Sequence, residues 1–371
     1  MSSTTDDFFE GKRPWSVIKD QVLRSYMPPY LAKVQKLGKP ILLVDGYAGP
    51  GVFDGGEEGS PLIMCSACEK SAPDRYQAFF FNRDKRHHEK LQSVLQRRGW
   101  LDKVEPILGD TTRLLPLLRS RLRDQTVFLY LDPFGPTGCA FDLLEPFLTR
   151  STAHSTEIVI MMHMPVMHRL AAGKKVRAGD GEDVSIQRHH QTMTRVFGGE
   201  YWKDIMLADG DNAEEREFAL IKAYRDKLAT HLPYTGFCPV RVGEGDRIKY
   251  FIVFASRHPH AMLLMNDAMN GAYFQRMHQA AFAGTLLEQT DWRNMVPRTG
   301  LVEAIITHLQ QEPGLTRDDL WLTIVQDHFM HYRHTDYIDA VQKLVESNEL
   351  SCPTPRKTKR LNGSCQLHIA Q

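Results

Sequence analysis

"PILLVDGYAGPG", residues 40–51, decides how the chain is read. An apolar run ends in an acid and opens at once onto Gly46, Gly49 and Gly51. Such a run is a strand covered on both faces, and glycines directly after it permit a tight turn. They also let main-chain amides approach a ligand with no Cβ in the way. The spacing is G-x-x-G-x-G rather than the G-x-G-x-x-G of dinucleotide-binding folds, and Asp45 precedes it. An acid at that point suits the amino group of a methionine moiety better than a pyrophosphate. Asp45, Gly46, Tyr47, Ala48, Gly49 and Gly51 are therefore the first candidate ligand contacts. Ser60 and Pro61 then supply the N-cap and first position of the next helix.

From residue 40 to about 164 the pattern repeats. Apolar strands at 40–45, 77–82, 104–110, 126–132 and 157–164 alternate with helical stretches such as "DKRHHEKLQSVLQRRG". That alternation predicts a parallel sheet with helices on both faces. A long helix over 213–232 follows, then strands at 236–242 and 249–256 joined by the short turn "GEGD", which makes the two antiparallel. Five alternating strands and a closing antiparallel pair resemble the seven-stranded sheet of class I methyltransferases, a Rossmann-like α/β fold. An NAD-dependent oxidoreductase fits neither the glycine spacing nor that hairpin.

Polar residues stand at the ends of successive strands. Asn82 and Asp84, in "NRD", can meet ribose hydroxyls; Asp110 and Thr111, in "LGDTT", can meet an adenine amino group. Each is also an ordinary helix N-cap type. Together on one sheet edge they point to S-adenosylmethionine (SAM), because ligands of open parallel sheets bind at the carboxyl ends of the strands.

The fourth strand ends in "LDPFGPTG", residues 131–138. Methyltransferases acting on exocyclic or amide nitrogens carry a D/N-P-P-aromatic motif here. Its oxygen accepts a hydrogen bond from the target amine and aims the lone pair at the methyl group. Asp132 and Pro133 match; Phe134 stands in place of the second proline and Gly135 in place of the aromatic. These four are the candidate catalytic residues. A turn built by Pro and Gly is the bland alternative. A cytosine-C5 mechanism needs a Pro-Cys nucleophile, and the chain has no Pro-Cys dipeptide.

With "DGYAGPG", "GSPL", "LGDTTRLL", "LDPFGPTG" and "FASRHPHAMLLMNDAM" in order, and "WSVIK" and "YMPPYLAKV" near the start, the chain resembles the three-Cys-motif partner (TcmP) family over about residues 12–371. The resemblance implies a class I methyltransferase-like fold with a helical C-terminal extension. It also implies a companion protein, similar to radical-SAM enzymes, that carries a three-cysteine motif. Two positions depart from the pattern: Asn82, where a ribose carboxylate is expected, and His163, where an asparagine is expected after the fifth strand. An acid/base role and a satisfied core histidine are both open for His163.

The expected organisation is an N-terminal helical segment (1–39), a methyltransferase-like domain (40–297) with a mobile loop around 170–190, and a C-terminal module (298–371). In the last, helices at 300–311, 316–329 and 335–348 precede "PRKTKRLNGSCQLHI". Asn362-Gly363 there signals a two-residue hairpin turn, and three helices with a hairpin make a winged helix. Arg356, Lys357, Lys359 and Arg360 on that hairpin are candidate contacts to a nucleic-acid backbone. Arg257, His258 and Pro259 could close over the cofactor edge or start a helix, and the pairs His87-His88 and His189-His190 read as surface residues.

A net charge of +1 over 371 residues excludes a global field for nucleic acid or membrane, so only a local patch can carry such contact. No stretch has the ~18 apolar residues of a spanning helix. The six scattered cysteines suit a reducing cytosol; only Cys65 and Cys68 form a C-x-x-C, and Cys352 and Cys365 have twelve residues between them. No metal site is expected. Together these point to a cytoplasmic SAM-dependent methyltransferase acting on a nitrogen or oxygen of a nucleobase, nucleoside or nucleic acid. The alternative is a non-catalytic scaffold of the same fold.

Overall fold

The computed structural model describes residues 14–172, 182–208, 212–241, 245–353 and 361–370. The chain divides into two compact units, Met1–Ala261 and Met262–Gln371.

In the first unit, helix α1 (Pro14–Val34) precedes strand β1 (Ile41–Asp45). There follow α2 (Ser60–Ser71), β2 (Tyr76–Asn82), α3 (Lys85–Arg98), β3 (Val104–Leu108), α4 (Thr111–Leu114), β4 (Thr126–Leu131), α5 (Phe141–Leu148) and β5 (Thr156–Met162). Then come α6 (Met164–Ala171), α7 (Glu182–Phe197), α8 (Trp202–Met206), α9 (Ala213–Ala229), β6 (Tyr234–Arg241) and β7 (Ile248–Ser256). The strand order is β3-β2-β1-β4-β5-β7-β6, and only β7 runs against its neighbours. Five parallel strands and a closing antiparallel pair are the arrangement the sequence predicts. The direction of the chain reverses between β1 and β4, so the crevice of the sheet opens beyond the carboxyl ends of those strands.

Side chains alternate along each strand, so each face of the sheet has its own core. Val127, Leu129 and Leu131 of β4 join Leu143, Val196 and Tyr224 of α5, α7 and α9. From the other face of β4, Phe128 packs on Tyr26 and Tyr30 of α1, with ring centroids 5.9 and 5.5 Å apart. Helix α1 is thus part of the first unit and covers one face of its sheet, rather than a separate leading segment.

Several expectations are corrected. The predicted mobile loop at 170–190 is partly regular: α6 ends at Ala171, and residues 182–190 open α7, while 173–181 lie outside the described residues. Strand five stops at Met162, and His163 becomes the N-cap of α6 with Pro165 behind it. Gly59, not Ser60, is the N-cap of α2. Arg257 does not reach the ligand edge. Its guanidinium donates to the carbonyls of Leu148, Arg150, Ser151 and His154, beyond α5 and before β5, at the opposite edge. Pro259 starts α10 (Pro259–Phe282), the helix-start alternative.

Helix α10 crosses from the first unit into the second. Within the second unit its buried Asn266 donates to the Tyr332 carbonyl (3.0 Å) and accepts from the Met330 amide (2.7 Å). Asn270 donates to the Met330 carbonyl (2.8 Å). These bonds tie α10 to the 330–332 turn, so the division falls at 261/262 rather than at 297/298. The remaining elements are α11 (Leu301–Gln311), α12 (Arg317–Asp327), α13 (His334–Glu346) and strands β8 (Leu350–Ser351) and β9 (His368–Ile369), which pair antiparallel. Asn362-Gly363 forms a turn but not the one joining these strands: the connection runs over 352–367, and the Gly363 carbonyl instead accepts from the Asp318 amide. Cys352 and Cys365, with Cα atoms 6.2 Å apart, are paired as a disulfide. Arg356, Lys357, Lys359 and Arg360 lie outside the described residues. Among the described residues no helix is long and apolar enough to cross a membrane.

Candidate functional site

The glycine loop after β1 is fixed at both ends by its own backbone. The Gly46 amide donates to the Tyr130 carbonyl (3.0 Å), the Ala48 amide to the Phe81 carbonyl (3.0 Å) and the Gly59 amide to the Gly51 carbonyl (2.7 Å). Gly49 (φ 62°) and Gly51 (φ 78°) occupy the left-handed region, which a Cβ makes costly.

Asp45 is fully buried at the root of this loop. One of its oxygens accepts from the Tyr47 amide (2.9 Å) and the other from the Ser60 hydroxyl (2.6 Å). Burial pushes the carboxyl up to about 7, against the pull of those two bonds. Asp45 lines neither cavity described below; it holds the loop in shape.

Two cavities open over this edge of the sheet. One, of about 590 Å³, lies over the ends of β1 to β4. It brings together Tyr47, Gly49, Asn82, Asp84, Asp110, Thr111, Pro133, Phe134 and Gly135, nine of the residues singled out by sequence. Asn82 does more than face the cavity: its amide donates to the Gly49 carbonyl (2.9 Å), so it latches the glycine loop to β2. Asp84 caps α3 through the His87 amide, and Asp110 caps α4 through the Thr112 amide and hydroxyl. These bonds hold both carboxyls below their usual range. Capping and ligand binding are therefore not exclusive here, since the same two carboxylates line the cavity. His87, expected on the surface, is half-buried in this wall. His190 departs in the same way, packing its ring against Trp202 at 5.0 Å.

The second cavity, of about 580 Å³, adjoins the first. Tyr47, Gly49, Pro133 and Phe134 line both. Phe134 is 60% exposed, an unusual state for a large aromatic, and stands in the wall that the two cavities share. Tyr47 is braced across the boundary by a hydrogen bond from its hydroxyl to the Gly138 carbonyl (3.0 Å). A Cβ at Gly138 would collide with that hydroxyl and with Pro133, so the turn after Phe134 requires glycine.

Asp132 lies in the second cavity and is not alone there. The ammonium of Lys19, on α1, bonds its Oδ2, while His163 Nε2 lies 3.9 Å from Oδ1. Burial by itself raises this carboxyl, but Lys19 and His163 outweigh it and hold it down at about 2. Lys19 also lies 5.6 Å from the centroid of Tyr250, and the His163 ring 5.4 Å from the same aromatic. Lys19 and Tyr250 were not among the residues singled out by sequence. The signal for Lys19 was the "WSVIK" stretch near the start of the chain; Tyr250 carried none, being one more apolar-type residue in a strand.

Cys65 and Cys68 are buried in α2, small residues in a helix rather than ligands. Among the described residues no cluster of three His, Cys, Asp or Glu could hold a metal ion.

No protein-family model matches the chain. No curated protein matches it. Among solved structures, it is similar to the O-methyltransferase from Bacillus cereus in complex with SAH, at 13% identity and a TM-score of 0.34, over 64% of this chain and 80% of that one. It is also similar to the O-methyltransferase TomG from Streptomyces achromogenes in complex with SAM, at 14% identity and a TM-score of 0.31, over 62% of this chain and 80% of that one. At these values neither likeness bears on what the cavities hold.

Proposed function

We infer that this chain is a SAM-dependent methyltransferase, with the cofactor in the cavity over β1 to β4 and the methyl acceptor in the cavity beside it. The observation that carries this reading is the shared wall. Tyr47, Gly49, Pro133 and Phe134 belong to both cavities, so a group held in one comes within reach of a group held in the other.

The first cavity suits SAM on its own chemistry. The glycine loop permits close approach of a ligand to main-chain atoms. Asp84 and Asp110 are ionised acceptors, fit for ribose hydroxyls and an adenine amino group. Asp45 acts on the methionine end indirectly, through the loop it holds. Bound there, SAM would supply a methyl group already activated by its sulfonium, so the protein's task is to bind, orient and exclude water. The exposed Phe134 stands in the shared wall beside which a planar acceptor would lie, and Asp132 with its neighbours would face the acceptor's reacting atom. The acceptor class that suits this wall is a nucleobase or nucleoside, free or within a nucleic acid.

The second unit supports the winged-helix reading in its order of elements: α11, α12 and α13 lead into β8 and β9, and Thr316 bridges to Gln366. A nucleic-acid contact through 356–360 and a three-cysteine companion protein remain parts of this proposal.

A non-catalytic scaffold has one observation in its favour: Lys19 already occupies the Asp132 oxygen that a target amine would use. Calorimetry separates the two readings. The enzyme reading expects micromolar SAM binding, weakened in Asp84→Ala and kept in Asp132→Ala, with labelled methyl passing from SAM to an acceptor. No SAM binding by the intact protein would sink it.

A further inference from the structure

Asp132 is occupied on both sides. Its Oδ2 is bonded by Lys19 and its Oδ1 lies 3.9 Å from His163 Nε2, so each oxygen already faces a nitrogen of the protein. Held at about 2, it is also too weak a base to take a proton near neutral pH. The chemistry of the site must therefore lie one residue further out. His163 lines the same cavity with its side chain 28% exposed, and an imidazole ring nitrogen can accept a proton from a bound group. The Asp132 carboxylate, 3.9 Å away, can orient the ring, as an acid partner does in other histidine-based sites.

The other charged and titratable groups lining this cavity are Asp132 just after β4, Lys19 and Asp20 on α1, Tyr47 in the glycine loop, Tyr130 on β4, Lys249 and Tyr250 on β7, and Arg169 on α6. Burial keeps the Tyr250 hydroxyl well above its usual range, so it stays protonated and cannot compete as a base. Lys19, shared between Asp132 and the Tyr250 ring, places a cation where negative charge would develop on an acceptor.

Resting on the SAM reading above, we propose that His163, positioned by the Lys19–Asp132 pair, is the general base for an acceptor that carries an acidic proton: a phenolic O–H or lactam N–H on a planar ring, not an exocyclic amine. The acceptor's proton passes to the free imidazole nitrogen of His163. The electron pair left on oxygen or nitrogen forms the new bond to the methyl carbon. The pair of the broken C–S bond stays on sulfur, and His163 afterwards returns its proton to solvent. Charge balances: a cationic sulfonium and a neutral acid become a neutral thioether, a neutral methylated product and one proton.

The test uses the whole protein and SAM labelled in the methyl group. The probes are catechol, uridine and guanosine as acids, and adenosine and cytidine as amines without an acidic ring N–H. Transfer to at least one acid probe is expected, with kcat/KM rising through a single ionisation as pH increases. In His163→Gln that pH limb disappears and the rate falls about 10²–10⁴-fold, while calorimetric SAM affinity stays unchanged. Asp132→Asn lowers kcat more than it changes KM, as expected of a positioning residue. Methylation of the amine probes, a His163→Gln enzyme that keeps its rate and pH limb, or no transfer to any acid probe by SAM-loaded protein would each overturn the proposal. Failure of the intact protein to bind SAM would instead remove the cofactor reading beneath it, and the proposal with it.

Discussion

Lys19 and Asp132 are 113 residues apart in sequence, yet the ammonium of one is hydrogen-bonded to the carboxylate of the other in the lining of the second cavity. One partner comes from the helix that precedes the sheet and the other from the end of its fourth strand. The pair thereby fastens α1 to the residue that sequence alone marks as chemical.

Breaking this pair leaves a carboxylate facing a mostly buried gap. Lys19→Met should cost up to about 3 kcal/mol of stability at neutral pH, the low end of the range for a broken buried pair. Lys19→Met with Asp132→Asn should recover most of that loss. Urea unfolding of the wild type, both single variants and the double variant measures the coupling; strictly additive losses would mean the two side chains do not share their energy.

Asp45 and Glu157 give the first unit an unusual pH response. Burial raises Asp45 to about 7 and Glu157 to about 8, both above their unfolded values. Between the unfolded and folded values the native state binds more protons, so stability falls as pH rises through that window. For each acid the loss is at most on the order of 4 kcal/mol. Asp132 works the other way: held at about 2, it stabilises the fold above the ordinary carboxylate range and loses that contribution as pH falls through 2. Denaturation midpoints measured between about pH 5 and pH 8 should decline in the wild type and flatten in Asp45→Asn and Glu157→Gln.

Phe134 separates binding from folding. With 60% of its surface exposed, its loss in Phe134→Ala should move stability by no more than about 0.5 kcal/mol. Because its ring stands in the wall that both cavities share, its loss should also weaken SAM binding about tenfold. Calorimetry beside a thermal melt tests both halves; a large fall in Tm with unchanged affinity would assign Phe134 to the core instead.

Arg257 makes the opposite pattern. It satisfies four carbonyls at the edge of the sheet away from both cavities. Arg257→Ala should cost roughly 2–3 kcal/mol, because four carbonyls, three of them in part-buried bonds, lose a charged donor. SAM affinity should be untouched. Weaker SAM binding in a variant that still folds would restore the lid that "RHP" suggested in the sequence.

The periodic parts of the molecule were legible before any coordinates. Apolar runs such as "PILLVD" and "TVFLYLD" can only be strands covered on both sides, and the short turn between the last two runs forces them antiparallel. The glycine loop was legible for the same reason, since Gly49 and Gly51 occupy backbone angles that side chains disfavour. Local signals misled where one residue type serves two purposes. Asn82 carries an amide that could meet a sugar, but the structure spends it on the Gly49 carbonyl. Arg257 and Pro259 look like a flap in sequence, while the carbonyls that claim Arg257 come from around residue 150.

The sequence by itself determined the order and kind of the elements, the place of the glycine loop and the strand-end acids, because these depend on periodicity and on neighbours a few residues away. Tertiary structure alone decided that Lys19 meets Asp132, that His163 and Tyr250 stand beside them, and that one cavity shares a wall with the next. Those relationships depend on which strands lie side by side and on how α1 crosses the sheet. Coulomb attraction and burial act on distance in space, and distance along the chain does not encode it.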